Sequence, residues 1–223
     1  MVCGFSSPIA KHVRQLRIGA LALLLACAGA FAQTKPPVIL IVGDSISAGY
    51  GLPSGTGWVA LLQERLAAER YPYHVMNASI SGETTAGARA RLPGLLEASR
   101  PEVTVIELGG NDGLRGGSLD AMAHNLDAMV TAAQQAGSRV LLLGMRLPPN
   151  YGPDYVRKFA AIYAEIAQRH KTALVPFLFE GFGDDSAMFQ PDRIHPVAAA
   201  QAKLLDNVWR ELKPLLATQG KRR

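Results

Sequence analysis

Four short polar segments of the chain carry the residue types that serine-based acyl transfer needs. They are Gly43-Asp44-Ser45, Ser81-Gly82, Gly109-Gly110-Asn111-Asp112 and Asp192-Arg193-Ile194-His195. A serine hydroxyl is a weak nucleophile and attacks an acyl carbon only when a base takes its proton. His195 is the candidate base for Ser45, and Asp192 could fix the imidazole tautomer and stabilise the imidazolium. The sequence therefore predicts a catalytic triad of Ser45, His195 and Asp192.

The same chemistry needs hydrogen-bond donors for the negative charge that develops on the carbonyl oxygen. The candidate donors are the backbone amides of Ser45 and Gly82 and the carboxamide of Asn111, and losing one such donor typically costs roughly 100- to 1000-fold in turnover. Taken singly, each segment is also typical of a turn or a helix cap. Asp44 and Asp112 in particular have the side chain that hydrogen-bonds nearby backbone in turns.

Strands and helices alternate along the chain and would bring these segments together. Apolar runs predict five strands, at residues 38–42, 73–78, 102–108, 139–145 and 172–177. Amphipathic or capped segments predict helices at residues 58–70, 86–99 with an interruption near Pro93, 119–136, 153–170 and from Pro196 to about residue 216. This alternation is typical of a parallel sheet covered by helices on both faces. The carboxyl ends of parallel strands share one edge, so the polar segments would converge there.

Other common catalytic and binding motifs are missing from the sequence. It contains no Gly-x-Ser-x-Gly, phosphate-binding loop, dinucleotide fingerprint or zinc motif. His74, His124 and His170 fit a strand, an exposed helix face and a helix C-terminus, so none of them is assigned to chemistry. We therefore expect neither a metal ion nor a cofactor.

The first 32 residues predict a cleaved signal peptide. Basic residues precede an uncharged apolar run, residues 18–31, which is shorter than the ~20 residues of a membrane span. Ala30-Phe31-Ala32 fits a signal-peptidase site. Residues 24–27 also resemble a bacterial lipobox, in which Cys27 would carry the lipid, but the small-x-small site favours cleavage after Ala32. The predicted mature protein is a single domain, residues 33–223, that is periplasmic or secreted.

Removing this segment changes the charge and the cysteine content. Both cysteines, Cys3 and Cys27, would leave with it, and so would three of the 23 basic residues. The 20 basic residues that stay face 18 acidic ones, so the formal net charge falls from +5 to +2. The mature chain would have no disulfide and no thiol nucleophile. No basic stripe with interleaved aromatic residues points to nucleic acid, and we expect a monomer without a stable membrane span.

The polar segments resemble, in order and spacing, the four sequence blocks of the SGNH (GDSL-type) hydrolases. The matching positions are Ser45, Gly82, Asn111 and His195 with Asp192. Longer stretches, residues 43–50, 77–82, 107–116 and 146–152, are similar to the family's periplasmic group of multifunctional acyl-CoA thioesterases, lysophospholipases and arylesterases. The resemblance implies a flavodoxin-like three-layer α/β/α sandwich with a five-stranded parallel sheet. It also implies the oxyanion hole named above and hydrolysis of thioesters, aryl esters and lysophospholipids.

A hydrophobic acyl groove is expected between the loops after the third and fourth strands, residues 113–116 and 147–151. The expected substrate-binding residues are Asp44, Gly113, Leu114, Leu147, Tyr151 and Ile194. The resemblance suggests that the first of these loops moves when substrate binds, although Leu114 and Leu147 could also simply pack the loops onto the sheet. Arg193 departs from the family's usual residues beside the same Asp and His, and could alter the charge at the mouth of the site.

Three functions are open at this point. The first is a hydrolase of small acyl esters and thioesters, with lysophospholipids as candidate substrates. The second is an acetylesterase for acetylated carbohydrate or peptidoglycan, which would need a short polar pocket. The third is a non-catalytic binding module, which is disfavoured because every catalytic position is filled. An exported protein would not meet acyl-CoA, so thioester cleavage is expected as a capability rather than as the physiological task.

Overall fold

A parallel five-stranded sheet forms the centre of the computed structural model, which describes Met1 and residues 35–216. Its strands are Val38–Gly43 (β1), His74–Asn77 (β2), Val103–Glu107 (β3), Arg139–Leu143 (β4) and Ala173–Val175 (β5). They lie in the order β2-β1-β3-β4-β5, with every pairing parallel. The strand order reverses between β1 and β3, which is where a doubly wound sheet opens a crevice for its ligand.

The chain divides into two units, Met1–Lys35 and Pro36–Arg223. The predicted signal peptide, its cleavage after Ala32 and the alternative lipidation at Cys27 lie outside the described residues. The sheet, its helices and the candidate site all belong to the second unit. Among the described residues, no helix is long and apolar enough to cross a membrane.

Seven α-helices of the described region surround the sheet. They are Ser45–Ala48 (α1), Trp58–Ala68 (α2), Thr85–Ser99 (α3), Gly110–Leu114 (α4), Leu119–Gln135 (α5), Pro153–His170 (α6) and Gln201–Leu212 (α7). Helices α2 and α7 pack together on one face, and α3, α5 and α6 pack side by side on the other. Because β1 and β3 are covered on both faces, their residues are almost all buried, and all except Thr104 and Glu107 are apolar or glycine. The three-layer α/β/α fold is confirmed.

Two short helices at the carboxyl ends of β1 and β3 are absent from the sequence-based prediction. Helices α1 and α4 have four and five residues, too few for an amphipathic period to show. Asp44 caps α1, because its side chain accepts a hydrogen bond from the Ile46 N–H at 3.0 Å. Gly109 precedes α4 with a φ of 109°, and a Cβ there would lie 2.4 Å from the Tyr163 hydroxyl. A glycine is therefore required where β3 turns into α4.

Two prolines behave differently from the prediction. Helix α3 runs through Pro93 without interruption. Pro93 and Arg89, whose carbonyl group loses its helical partner, are both exposed, so water can replace the missing hydrogen bond. The expected start of the last helix at Pro196 is wrong. Pro196 instead forms an antiparallel bridge with Phe189, and α7 begins only at Gln201, whose side chain donates to the Pro196 carbonyl oxygen at 3.3 Å.

Candidate active site

Ser45 and His195, 150 residues apart in the sequence, are in contact in the structure. Ser45 Oγ lies 2.8 Å from Nε2 of His195, and Nδ1 of the same ring lies 2.7 Å from Oδ2 of Asp192. A carboxylate only accepts hydrogen bonds, so the proton of the neutral imidazole sits on Nδ1 and Nε2 accepts from the serine hydroxyl. The three predicted catalytic side chains thus form one continuous chain of hydrogen bonds.

Asp192 is held in place by its own loop. Its Oδ1 accepts hydrogen bonds from the backbone N–H groups of Ile194 at 2.9 Å and His195 at 3.1 Å. Partial desolvation raises the pKa of Asp192, but the hydrogen bonds from the His195 side chain and from these backbone groups outweigh it and lower the pKa to about 2. The carboxylate is therefore ionised at neutral pH, as a group that orients and stabilises an imidazolium must be.

The loop that carries the imidazole is anchored to the turn that follows α1. Gln190 donates its backbone N–H to the His195 carbonyl oxygen at 2.7 Å and its side-chain Nε2 to the Tyr50 carbonyl oxygen at 2.9 Å. The Tyr50 ring packs against the imidazole, with ring centroids 4.5 Å apart. Tyr50 therefore helps to hold the imidazole beside Ser45.

Two backbone amides at the cavity are available to a negatively charged oxygen. The N–H groups of Ser45 and Gly82 donate to no acceptor within residues 35–216, and both residues line the same cavity. Gly82 has a φ of 79°, a conformation that favours glycine. Its carbonyl oxygen accepts a hydrogen bond from Nη2 of Arg115 at 3.2 Å, which fixes the orientation of the turn.

Asn111 lies beside these amides, in the first turn of α4. Its Nδ2 donates to Oδ2 of Asp44 at 3.1 Å and to the carbonyl oxygen of Glu83 at 3.0 Å, so both amide hydrogens are engaged in the structure. The neighbouring Asp112 accepts from the hydroxyl and the backbone N–H of Thr85. These bonds tie α4 to the start of α3 and hold the carboxamide at the cavity wall.

A cavity of about 200 Å³ opens beside the Ser45 hydroxyl. Apolar side chains supply much of its wall, namely Ile46, Tyr50, Leu114, Met145 and Ile194. Of the predicted substrate-binding residues, the structure places Asp44, Leu114 and Ile194 at this cavity. No group of three or more His, Cys, Asp or Glu side chains in the described part of the chain is arranged to hold a metal ion.

Gly113 and Leu147 lie behind the cavity instead of lining it. Leu147 is buried, and a Cβ on Gly113 would lie 2.8 Å from its methyl groups and 2.7 Å from the Phe159 ring. Gly113 belongs to α4, and the space on its inner side is filled by these two side chains. Leu147 therefore packs its loop against the inner side of α4 in this structure.

Tyr151, the remaining predicted substrate-binding residue, is also outside the cavity. Its hydroxyl donates to the Leu114 carbonyl oxygen at 2.8 Å, and the Tyr155 hydroxyl donates to the Gly117 carbonyl oxygen at 2.8 Å. The two tyrosine rings stack, with centroids 6.5 Å apart. Tyr151 and Tyr155 thus hold the segment 114–117 from its outer side.

Two residues at the site were not found by the sequence reasoning. Glu107 is fully buried behind Asp44, and its only signal in the sequence is a carboxyl group at the end of an apolar strand. Tyr50 packs on His195 but follows a serine-glycine segment that predicts only a loop. Neither residue has a partner close in sequence that would indicate its position.

Comparison with known proteins identifies the family. Residues 41–203 match the GDSL-like Lipase/Acylhydrolase family, which covers well over half of the chain. The chain belongs to this family. The predicted SGNH (GDSL-type) relationship is confirmed, and the protein is a hydrolase that acts on esters.

Three relatives within this GDSL-like family match the chain over most of their length. "Esterase TesA" of Pseudomonas aeruginosa is 56% identical over 89% of this chain and 96% of its own length. An "Arylesterase" of Vibrio mimicus is 37% identical over 85% of this chain and 94% of its own. "Thioesterase 1/protease 1/lysophospholipase L1" of Escherichia coli is 38% identical over 83% of this chain and 88% of its own.

Solved structures agree with the GDSL-like assignment. The crystal structure of TesA is 57% identical and superposes with a TM-score of 0.79, covering 80% of this chain and 99% of that one. The psychrotrophic esterase EstA from Pseudoalteromonas, solved with monoethylphosphonate as inhibitor, is 41% identical with a TM-score of 0.76, covering 79% of this chain and 97% of that one.

Proposed function

We propose that the protein hydrolyses carboxylic esters and thioesters through a covalent acyl intermediate on Ser45. The observation that carries this proposal is the unbroken contact from Ser45 Oγ to His195 and on to Asp192, beside a cavity with unpaired backbone amides. A hydroxyl that donates to an imidazole is the arrangement that activates serine for attack on an acyl carbon.

In the acylation step, Ser45 Oγ attacks the carbonyl carbon while its proton passes to Nε2 of His195. Asp192 stabilises the resulting imidazolium through the hydrogen bond to Nδ1. The C=O π bond opens, and the oxygen takes a negative charge that the amides of Ser45 and Gly82 and the carboxamide of Asn111 accept. The intermediate then collapses, the bond to the alcohol or thiol breaks, and His195 gives that leaving group the proton.

In the deacylation step, a water molecule takes the place of the leaving group. His195 Nε2 removes a proton from this water as it attacks the acyl-Ser45 carbonyl carbon, and the same donors receive the second tetrahedral oxyanion. Collapse releases the carboxylic acid, and the proton returns from His195 to Ser45 Oγ. The cycle requires no electron transfer and no group beyond those of the chain and water.

The cavity wall supports an apolar acyl group as the preferred substrate. Leu114, Met145 and Ile194 would contact the acyl chain, and Asp44 lies at the same wall. The relatives are named for esterase, arylesterase, thioesterase and lysophospholipase activities, and we propose that this chain takes small acyl esters and thioesters, with lysophospholipids among its candidates. An acetylxylan esterase also shares the fold, at 21% identity with a TM-score of 0.69, but this likeness extends only to the fold.

We propose further that the protein works outside the cytoplasm as a monomer made of residues 33–223. The support for export is the basic, then apolar, then small-x-small pattern of the first 32 residues. Mass spectrometry of the exported protein would show Gln33 at its N-terminus. A lipid on Cys27 would instead establish the lipoprotein alternative.

The experiment that tests the hydrolase function is a chain-length series. We expect kcat/KM on p-nitrophenyl esters from C2 to C16 to favour medium or long chains, and acyl-CoA thioesters to be cleaved as well. A fluorophosphonate probe should label the wild type at Ser45 and leave Ser45→Ala unlabelled. Cleavage of C2 alone would support the acetylesterase instead, and undiminished hydrolysis by Ser45→Ala would exclude the mechanism.

A further inference from the structure

A buried carboxyl group stands directly behind the nucleophile. Glu107, the last residue of β3, is fully buried. Its Oε2 accepts hydrogen bonds from the Ser47 hydroxyl at 2.8 Å and from the Asp44 N–H at 3.3 Å. These two residues flank Ser45 in the chain. A Cβ on Gly43 would lie 2.9 Å from the same oxygen, so the glycine lets the carboxyl group approach the turn.

Asp44 extends this contact to the candidate oxyanion donors. Its Oδ1 accepts from the Ile46 N–H, and its Oδ2 accepts from Nδ2 of Asn111. Glu107 is thus connected through Asp44 to the side chain of Asn111, and through Ser47 and Asp44 to the backbone on both sides of Ser45. The carboxyl group of Asp44 joins the first turns of α1 and α4, and Glu107 holds Asp44 from behind.

The surroundings of Glu107 disfavour its charged form. Burial raises its pKa well above the usual range, and the negative charge of Asp44 raises it further. Within the described residues, no cation lowers the pKa of Glu107, and its Oε1 has no hydrogen-bond partner. The Tyr163 hydroxyl, on α6, donates to the Leu108 carbonyl oxygen at 2.9 Å, and burial raises the pKa of this phenol too.

Asp44 is the member of the pair that carries the negative charge. Burial raises the pKa of Asp44 overall, although the Ile46 N–H, the hydrogen bond with Glu107, the attraction of His195 and the Asn111 amide offset part of this rise. Burial raises the pKa of Glu107 well above its usual range, because Glu107 has fewer such partners and lacks the attraction of His195. Two buried carboxyl groups this close cannot both ionise at low cost, so a single charge stays on Asp44.

We propose that Glu107 is a positioning residue that works as a neutral carboxylic acid, holding Asp44 and Ser47 so that Ser45 and Asn111 face the substrate correctly. The role rests on the proposed hydrolase function. In its neutral form, Glu107 adds no charge behind the oxyanion donors. In its ionised form, it would add a second negative charge behind the oxyanion donors and oppose the developing oxyanion.

The test compares Glu107→Gln with Glu107→Ala. Glutamine has the shape of the neutral acid, accepts through one oxygen and cannot ionise, so we expect kcat within about threefold of wild type. Alanine leaves the Asp44 N–H and the Ser47 hydroxyl without their acceptor, and we expect kcat to fall about tenfold or more with KM little changed. Glu107→Met fills a similar space without an oxygen acceptor, so rescue by glutamine but not by methionine separates the neutral-acid role from simple filling of space.

The pH profile gives the second readout. We expect the kcat of the wild type to fall at alkaline pH as Glu107 ionises, and that of Glu107→Gln to stay level over the same range. A variant that falls together with the wild type, a wild type that stays level, or a glutamine variant as impaired as alanine would overturn the proposal.

Infrared spectroscopy tests the charge state without any assay of activity. At neutral pH the wild type should show the C=O stretching band of a buried, protonated carboxylic acid, and Glu107→Gln should lack it. Absence of this band from the wild type would refute the neutral acid. A wild type that shows the band but hydrolyses no ester would refute the proposed function instead, so the two failures are distinguishable.

Discussion

Replacing Asn111 by alanine tests the oxyanion site where the geometry is most specific. Loss of one oxyanion donor typically costs about 2.7–4 kcal/mol, or roughly 100- to 1000-fold in kcat. In the structure, however, the Asn111 amide already donates to Asp44 and Glu83. To bind the oxyanion, the Asn111 amide gives up its hydrogen bond to the neutral Glu83 carbonyl oxygen. The net stabilisation is therefore only the difference in free energy between these two hydrogen bonds. We therefore expect a loss near the lower end, about 100-fold.

The loss should appear in kcat, because the negative charge exists only in the transition state and the intermediate. Steady-state kinetics on p-nitrophenyl butyrate would separate kcat from KM, and circular dichroism would confirm the fold. Asn207→Ala is the matched control, since Asn207 also lies in a helix and its Nδ2 donates to two acceptors, the carbonyl oxygens of Leu178 and Glu180, away from the cavity. A kcat for Asn111→Ala within about threefold of the control, or a change confined to KM, would refute the assignment.

Three further predictions concern the triad, the buried pair and a turn. Asp192→Asn should lower kcat by about 10⁴-fold, because an amide favours the wrong imidazole tautomer; a kcat loss below about tenfold in stopped-flow assays would contradict it. Burial raises the pKa of Glu107 in the folded protein above its value in the unfolded chain, which is about 4.3. Between these two pKa values, the wild type should lose stability relative to Glu107→Gln by about 1.4 kcal/mol per pH unit as the pH rises. Urea unfolding at several pH values measures this difference, and a constant value argues against it. Gly109→Ala should cost roughly 1–3 kcal/mol, because φ is 109° and the new Cβ meets the Tyr163 hydroxyl; unchanged urea midpoints would refute this strain.

The sheet could be predicted from sequence because its central strands are buried on both faces. The apolar run of residues 38–42 is short, rich in β-branched residues and followed by Gly43, which is typical of a strand inside a covered parallel sheet. Strand ends then place Ser45 and Asn111 at one edge, and the loop before the last helix brings His195 to it. The hydrophobic pattern could not predict the short helices α1 and α4 after β1 and β3, because each is too short to show an amphipathic repeat.

Side-chain direction explains the remaining differences at the site. Leu147 and Tyr151 belong to the loop that was expected to wall the cavity, but they point to the back of α4 and to the Leu114 carbonyl oxygen. Sequence spacing says which loop is near the site and not which way a loop residue points. Glu107 was missed for a different reason: its partners Asp44 and Ser47 are about 60 residues away in the sequence.

The tyrosine contacts at segment 114–117 couple two loops of different origin. One loop follows β3 and carries Leu114 into the cavity wall, while the hydroxyls that hold it come from the segment after β4. Displacing the segment breaks both hydrogen bonds, each worth about 1 kcal/mol, and the stacked rings make the two losses occur together. We therefore expect acyl-chain preference to depend on both segments, because a graft that exchanges one of them without the other would separate the cavity wall from its support.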